Sequence, residues 1–145
     1  MDKRIVAWED LQVGDTYYKE YVVTPELVAE YILANGDDHP WYTGTSPFGG
    51  PIAPWMLITT QHAGLVSMKY VISGQVNTQH TTQFFHPAKV GSLIRVYGRL
   101  ADKFEKRERR YFAIEAESVD ENGVLLVRDR RVSLVRYRKV GEEVR

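Results

Sequence analysis

The spacing of hydrophobic positions changes near the middle of the chain. Leu27, Val28, Tyr31 and Ile32 recur at the three- and four-residue intervals of one helix face. Thr24-Pro25-Glu26 precedes them with a hydroxyl cap, a proline in the first turn and an acid near the positive helix end. Asn35-Gly36 supplies the stop, so a helix is predicted between these signals. Thr16 to Val23 reads as a strand or extended lead-in. A second apolar run begins near Pro51 to Pro54 and continues to about Tyr70. Its Met56, Leu57, Leu65, Val66 and Met68 predict a helix buried on more than one side.

Beyond that run the composition favours strands. Val76 to His86, Ser92 to Leu100, Tyr111 to Val119 and Val124 to Arg138 are rich in Thr, Val, Ile, Phe and Tyr. Asn122-Gly123 marks a hairpin, because both residue types tolerate positive φ. Pro87 to Gly91 marks a second turn, and Lys103 to Arg110 contains a third. Helices followed by a meander predict an α+β domain, an antiparallel β-sheet wrapped around a long central helix.

At 145 residues the chain reads as a single domain over 1–145, large enough to bury roughly two-thirds of its unfolded surface. The formal net charge is zero, so no global field draws it to nucleic acid or an anionic membrane, and neither is expected as a partner. The absence of cysteine excludes disulfides, thiolate nucleophiles and thiolate-bound zinc, and makes a cytoplasmic location the default expectation. Met1 to Asp10 lacks the apolar run of a signal peptide. The most hydrophobic stretch, Ile52 to Ile72, carries Gln61, His62 and Lys69, which suit a core helix rather than a membrane span.

Asp37 to Gly50 is a long loop punctuated by Gly, Pro, Asp, Ser and Thr, a setting in which function concentrates. It opens Asn35-Gly36-Asp37-Asp38-His39-Pro40-Trp41-Tyr42 and closes Phe48-Gly49-Gly50-Pro51-Ile52-Ala53-Pro54. With Phe85-His86-Pro87 and the segment Asp102 to Arg110, these motifs resemble, in order and spacing, the MaoC-like hydratase and dehydratase family, nearest its FAS1-like (N-terminal type) branch. The resemblance spans about Trp8 to Lys139 and implies a hot-dog fold. It also implies reversible hydration of 2-enoyl thioesters to 3-hydroxyacyl thioesters, without a metal or other cofactor, on coenzyme A or acyl carrier protein.

In that family an Asp and a His five residues later hold a water, while backbone N–H groups at the start of the central helix meet the thioester oxygen as negative charge develops. Asp37 matches the Asp, and Tyr42 stands where the His is found. An unperturbed phenol titrates about three units above neutrality, so Tyr42 suits donating a proton or orienting water. His39 is the nearby alternative base. Against these roles stand a loop Asp bonding its own backbone and a surface His. Gly49, Gly50, Ala53 and Trp55 match the substrate-binding segment, although Pro54-Trp55 replaces a His-Gly pair and proline has no N–H to offer.

Three functions follow from the resemblance: a hydro-lyase using Asp37 with Tyr42 or His39, a non-catalytic acyl-binding subunit of a heteromeric dehydratase, and a hot-dog thioesterase. A homodimer or a heterodimer with another hot-dog chain is expected. His62 reads as a satisfied core or interface histidine. His80 and His86 lie on a strand and at its end, without metal-ligand spacing. Lys103 to Arg110 offers phosphate contacts or a solvated hairpin tip. Arg128, Arg130, Arg131, Arg136 and Arg138 alternate with apolar residues as on a strand with one wet face.

Overall fold

The computed structural model describes residues 4–136; the remainder, which includes Arg138 and Lys139, lies outside the described residues. The elements are β1 (Arg4–Val6), β2 (Thr16–Val22), α1 (Pro25–Asn35), α2 (Trp55–Thr60), β3 (Tyr70–Ile72), β4 (Gln75–Phe84), β5 (Leu93–Lys106), β6 (Arg109–Val119) and β7 (Leu125–Val135). Single 3-10 turns occur at Trp8–Asp10, Pro40–Tyr42 and Leu65–Met68. Five strands form an antiparallel sheet in the order β2-β5-β6-β7-β4, and β1 pairs parallel with β3 in a small second sheet.

Local chemistry sets the ends of α1. The Thr24 hydroxyl accepts from the Leu27 N–H at 3.1 Å, Pro25 opens the first turn, and Gly36 closes the helix at φ 67° with its N–H on the Ile32 carbonyl at 2.8 Å. Val28 is buried, and Leu27, Tyr31 and Ile32 pack beside it against the core, the face the spacing predicts.

The central helix is shorter than its hydrophobic run. α2 ends at Thr60, where the Thr59 and Thr60 hydroxyls donate back to the Met56 and Leu57 carbonyls at 2.9 and 2.6 Å. Such back-bonding competes with the helical ladder. Gln61, His62 and Ala63 continue with tighter bonds to residues three back, Gly64 turns left-handed at φ 73°, and Leu65–Met68 resumes as a 3-10 turn. A period count sees one helix here because the buried side chains keep their spacing across the break.

β5 extends six residues past the predicted Leu100 and pairs with β6 out to Lys106 opposite Arg109. Its charged end is a sheet extension braced by the N-terminal segment. Lys103 Nζ donates to the carbonyls of Trp8, Glu9 and Leu11 and lies 4.4 Å from the Trp8 ring centre. The hairpin itself turns on Arg107 and Glu108, both at positive φ of 52° and 60°. Asn122-Gly123 forms the predicted turn, with the Asp120 carboxylate accepting from the Asn122 and Val124 N–H groups.

Alternation along the strands places Ile94, Val96, Leu100, Phe112, Ile114, Ala116 and Val127 in one core with Leu57, Ile58 and Leu65 of the helical segment. Gly98 permits a close approach, since a Cβ there would lie 2.7 Å from Leu65 Cδ1. On the opposite face Arg128 pairs with Glu117 and Arg130 lies 3.8 Å from Glu115, the wet side of β7. Among the described residues no helix is long and apolar enough to cross a membrane.

Candidate active site

The loop from α1 to α2 is sewn to its surroundings through its backbone. Ile52 N–H donates to the Trp41 carbonyl at 2.9 Å, Ala53 N–H to Ala88 at 2.8 Å, and Val90 N–H to Pro51 at 3.0 Å. These bonds bring the Pro40–Tyr42 turn against the entry to α2, so the two halves of the motif meet. Asp37 emerges directly after the left-handed Gly36 and is exposed.

Tyr42 Oη donates to Asp37 Oδ2 at 3.1 Å, and this is the contact that joins the two positions of the predicted pair. Burial raises the Tyr42 phenol above its ordinary value, and the bond to Asp37 raises it further. Its proton is therefore held firmly at neutral pH, and its role toward the carboxylate is that of a donor. Asp37 Oδ1 accepts from the His39 backbone N–H at 3.4 Å, the local turn bond common for a loop Asp.

The His39 ring makes no hydrogen bond to this carboxylate. Its Nδ1 accepts from the Trp41 N–H at 3.2 Å and caps the short turn, which places the proton of a neutral ring on Nε2. To act as a base His39 would have to release that cap. Its ring packs edge-on to Trp41 at 5.0 Å and beside Tyr42 at 5.7 Å, and Phe48 extends the aromatic group. The structure thus joins Asp37 to the Tyr42 side chain and to the His39 backbone alone.

The four substrate-segment residues fall into two groups. Ala53 is buried and its N–H is consumed by Ala88, which leaves it no donor for a ligand. Gly49 N–H is likewise engaged, by Ser46 at 3.3 Å. Gly50 adopts φ 123°, its carbonyl accepts from Ser46 Oγ at 2.5 Å, and its N–H has no acceptor among the described residues. Trp55 begins α2, also with an unengaged N–H, and its ring lies edge-on to Phe84 of β4 at 5.1 Å. Two N–H donors thus remain beside a helix start.

A second polar cluster lies inside the fold, and reading the sequence did not assemble it. His62 Nε2 is 2.5 Å from Ser118 Oγ, and His62 Nδ1 is 3.0 Å from Asp129 Oδ1, close but poorly aligned as a hydrogen bond. Asp129 Oδ2 also meets His80 Nε2 at 3.1 Å and Arg131 Nε at 3.3 Å, while Arg131 Nη2 donates to the Thr59 carbonyl at 2.6 Å. Burial pushes the Asp129 carboxyl up, but the close His62 ring, with His80 and Arg131, outweighs it and holds the carboxyl below its usual value. The order Ser118–His62–Asp129 is that of a nucleophile, its base and an orienting acid. Ser118 is 0% exposed, so no acyl group reaches it and the trio acts as a buried brace. The available signal was one Asp among the alternating arginines of β7.

No family model and no curated protein matches the sequence. Solved structures do. The monoamine oxidase regulatory protein from Archaeoglobus fulgius aligns at TM-score 0.80 and 20% identity, over 93% of this chain and 97% of that one. The (R)-hydratase from A. caviae involved in PHA biosynthesis aligns at 0.77 and 18%, over 88% of this chain and 99% of that one. The HadBC (3R-hydroxyacyl-ACP dehydratase) complex from Mycobacterium tuberculosis aligns at 0.69 and 16%, over 84% and 96%. The chain has the MaoC-like hot-dog fold. At these identities the likeness is one of architecture, and the hot-dog core described above is what is shared.

Proposed function

We propose that the protein is a MaoC-like hydro-lyase of the FAS1-like branch, adding or removing water reversibly on 2-enoyl and 3-hydroxyacyl thioesters of coenzyme A or acyl carrier protein. The observation that carries this reading is the Asp37 carboxylate with the Tyr42 hydroxyl donating to it at 3.1 Å, on a loop sewn to the start of α2 where the Gly50 and Trp55 N–H groups are unengaged. Asp37 would take the proton from the water that adds to the β-carbon, and the protonated carboxyl would then return it to the α-carbon as the enolate collapses. Tyr42 would hold the carboxylate in place through Oδ2, and Oδ1, which also accepts the long bond from the His39 N–H, would meet the water. The two N–H groups would receive the thioester oxygen as it gains charge. The three solved structures described above, two of them a hydratase and a dehydratase, support the assignment at the level of fold.

A second reading has its own observation. Among the described residues no imidazole bonds to Asp37, and the His39 Nδ1 is committed to the Trp41 N–H. β4 is an edge strand of ten residues, exposed along nearly its whole length and carrying neither Lys nor Pro. Natural edges of that length are normally protected or paired. A second hot-dog chain paired along β4 would cover it, as a homodimer or as the partner that supplies an intact Asp/His pair while this chain shapes the acyl site.

Hydration of short and branched enoyl-CoAs by the purified chain, with Asp37→Asn as control, separates the two. Turnover lost in the variant establishes the self-sufficient enzyme. A folded chain without turnover directs the assignment to the acyl-binding subunit, and hydrolysis of the thioester would mark the thioesterase.

A further inference from the structure

Hydration of an enoyl thioester builds negative charge on the thioester oxygen, and the chain has few N–H donors to meet it. Each backbone N–H from Gly49 to Trp55 can be accounted for. Gly49 gives its own to the Ser46 carbonyl, Ile52 to Trp41 and Ala53 to Ala88, while Pro51 and Pro54 have none. Within this stretch Gly50 and Trp55 keep theirs free of any acceptor among the described residues. α2 adds little, because it has only six residues and so few aligned peptide dipoles. The stretch therefore offers neutral donors to a group that becomes an anion.

A cation stands beside it. Lys89 Nζ lies 3.8 Å from the point a Gly49 Cβ would occupy, so the ammonium rests against the bare Gly49–Gly50 turn. Both sides of this contact are fixed at the backbone. Lys89 bridges Ile52, the Ala53 N–H donates to Ala88 at 2.8 Å, and the Val90 N–H donates to Pro51 at 3.0 Å. The turn itself is pinned by the buried Ser46, whose hydroxyl accepts from the Phe48 N–H at 3.2 Å and donates to the Gly50 carbonyl. Among the described residues Lys89 is in no ion pair. Lys103, by contrast, is spent on three carbonyls, and Lys19 on Gln61.

We propose that Lys89 supplies the missing charge: its ammonium meets the thioester oxygen, together with the Gly50 N–H, as that oxygen becomes an enolate. This deepens the hydro-lyase reading above and rests on it for the position of the thioester. As water adds to the β-carbon, electron density from the double bond moves onto the thioester oxygen. Asp37 holds the proton taken from the water and returns it to the α-carbon as that density comes back. Lys89 keeps its own proton throughout. It answers the charge only while the charge exists, and interactions of that kind raise kcat rather than ground-state binding. Its donors sit on a long flexible stem, so the head can follow the oxygen as the bond orders change. Lys89 lies past the end of β4, in the connection to β5, so a second chain paired along β4 does not call on it.

The test replaces Lys89 with Met, which keeps the length and removes the charge, and with Arg, which keeps the charge. Lys89 is exposed, so neither change touches the core. The first probe is acetoacetyl-CoA, whose enolate has its own ultraviolet band and can be titrated on the protein without any hydration. Bound to the intact chain it should give up its proton at a pH about one unit lower than when bound to Lys89→Met, with Lys89→Arg close to wild type. The second probe is hydration of short enoyl-CoAs. There Lys89→Met should lower kcat about tenfold, hold KM within about twofold and leave the thermal melt unchanged. An enolate titration that Lys89→Met leaves unmoved overturns the proposal, whatever hydration the intact chain performs. A rise in KM at constant kcat also overturns it, since the cation then only holds the coenzyme. Enolate formation that depends on Lys89, in a chain that hydrates nothing, keeps the anion site and sinks the hydro-lyase. If acetoacetyl-CoA does not bind and no enoyl-CoA turns over, both fall together.

Discussion

Replacing Asp129 with Ala tests whether the buried cluster holds the helical segment to the sheet. Its side chain is 1% exposed and touches His62 Nδ1 at 3.0 Å, His80 Nε2 at 3.1 Å and Arg131 Nε at 3.3 Å. The substitution leaves Arg131, 18% exposed, as a largely buried cation without its carboxylate, and leaves the fully buried His62 facing a void. Removing one member of a buried charged set costs about 3–5 kcal/mol. At ~2–4 °C per kcal/mol for a domain near this size, Tm should fall by roughly 6–20 °C. Urea unfolding followed by circular dichroism reads the free energy directly. The folded Asp129 carboxyl sits below its ordinary value, so its contribution is fully present above the unfolded pKa of about 3.9 and is lost as pH falls through the lower folded value. The gap between wild type and Asp129→Asn should therefore stay open down to about pH 5 and close only below about pH 4. A loss under about 1 kcal/mol, or a gap that closes between pH 5 and 7, would refute the account.

Four further outcomes follow from single contacts. Tyr42→Phe removes the hydroxyl that steadies Asp37 and should lower kcat for hydration about tenfold with little change in stability, read by steady-state kinetics beside a thermal melt. Gly98→Ala drives a Cβ to 2.7 Å from Leu65 Cδ1 and should cost about 1–3 kcal/mol in urea unfolding, with Leu65→Ala in the same chain relieving the strain. Thr24→Ala deletes the cap of α1 and should cost about 1 kcal/mol, while Thr24→Asn restores most of it. Arg107→Asn with Glu108→Gly puts residues suited to positive φ into the β5–β6 hairpin and should stabilise the fold by roughly 1 kcal/mol, seen as a higher urea midpoint.

Much of this architecture was legible before any coordinates. Caps, turn residues and the switch from helical to strand composition are local signals, and they placed α1 and the turn at Asn122-Gly123. They also marked β4 to β7 to within a few residues, apart from the charged extension of β5. The central helix was overestimated because its break rests on two threonine hydroxyls and Gly64, while the hydrophobic spacing runs on through it. The motif of the α1–α2 loop named Asp37, Tyr42 and His39, since order and spacing along the chain are all that a motif needs.

What only the tertiary structure decided is which of those atoms face one another. The sequence could not say that the His39 ring caps its own turn while the Tyr42 hydroxyl reaches Asp37, because both depend on side-chain direction within a few ångströms. Nor could it join His62, Ser118, His80 and Asp129, which lie up to 67 positions apart and meet only when β4, β6 and β7 come into register beneath the segment after α2. Local propensity is written in neighbouring residues and can be read from them. A buried charge network is written in the register of strands distant along the chain, and that register is fixed only when the whole sheet closes on its core.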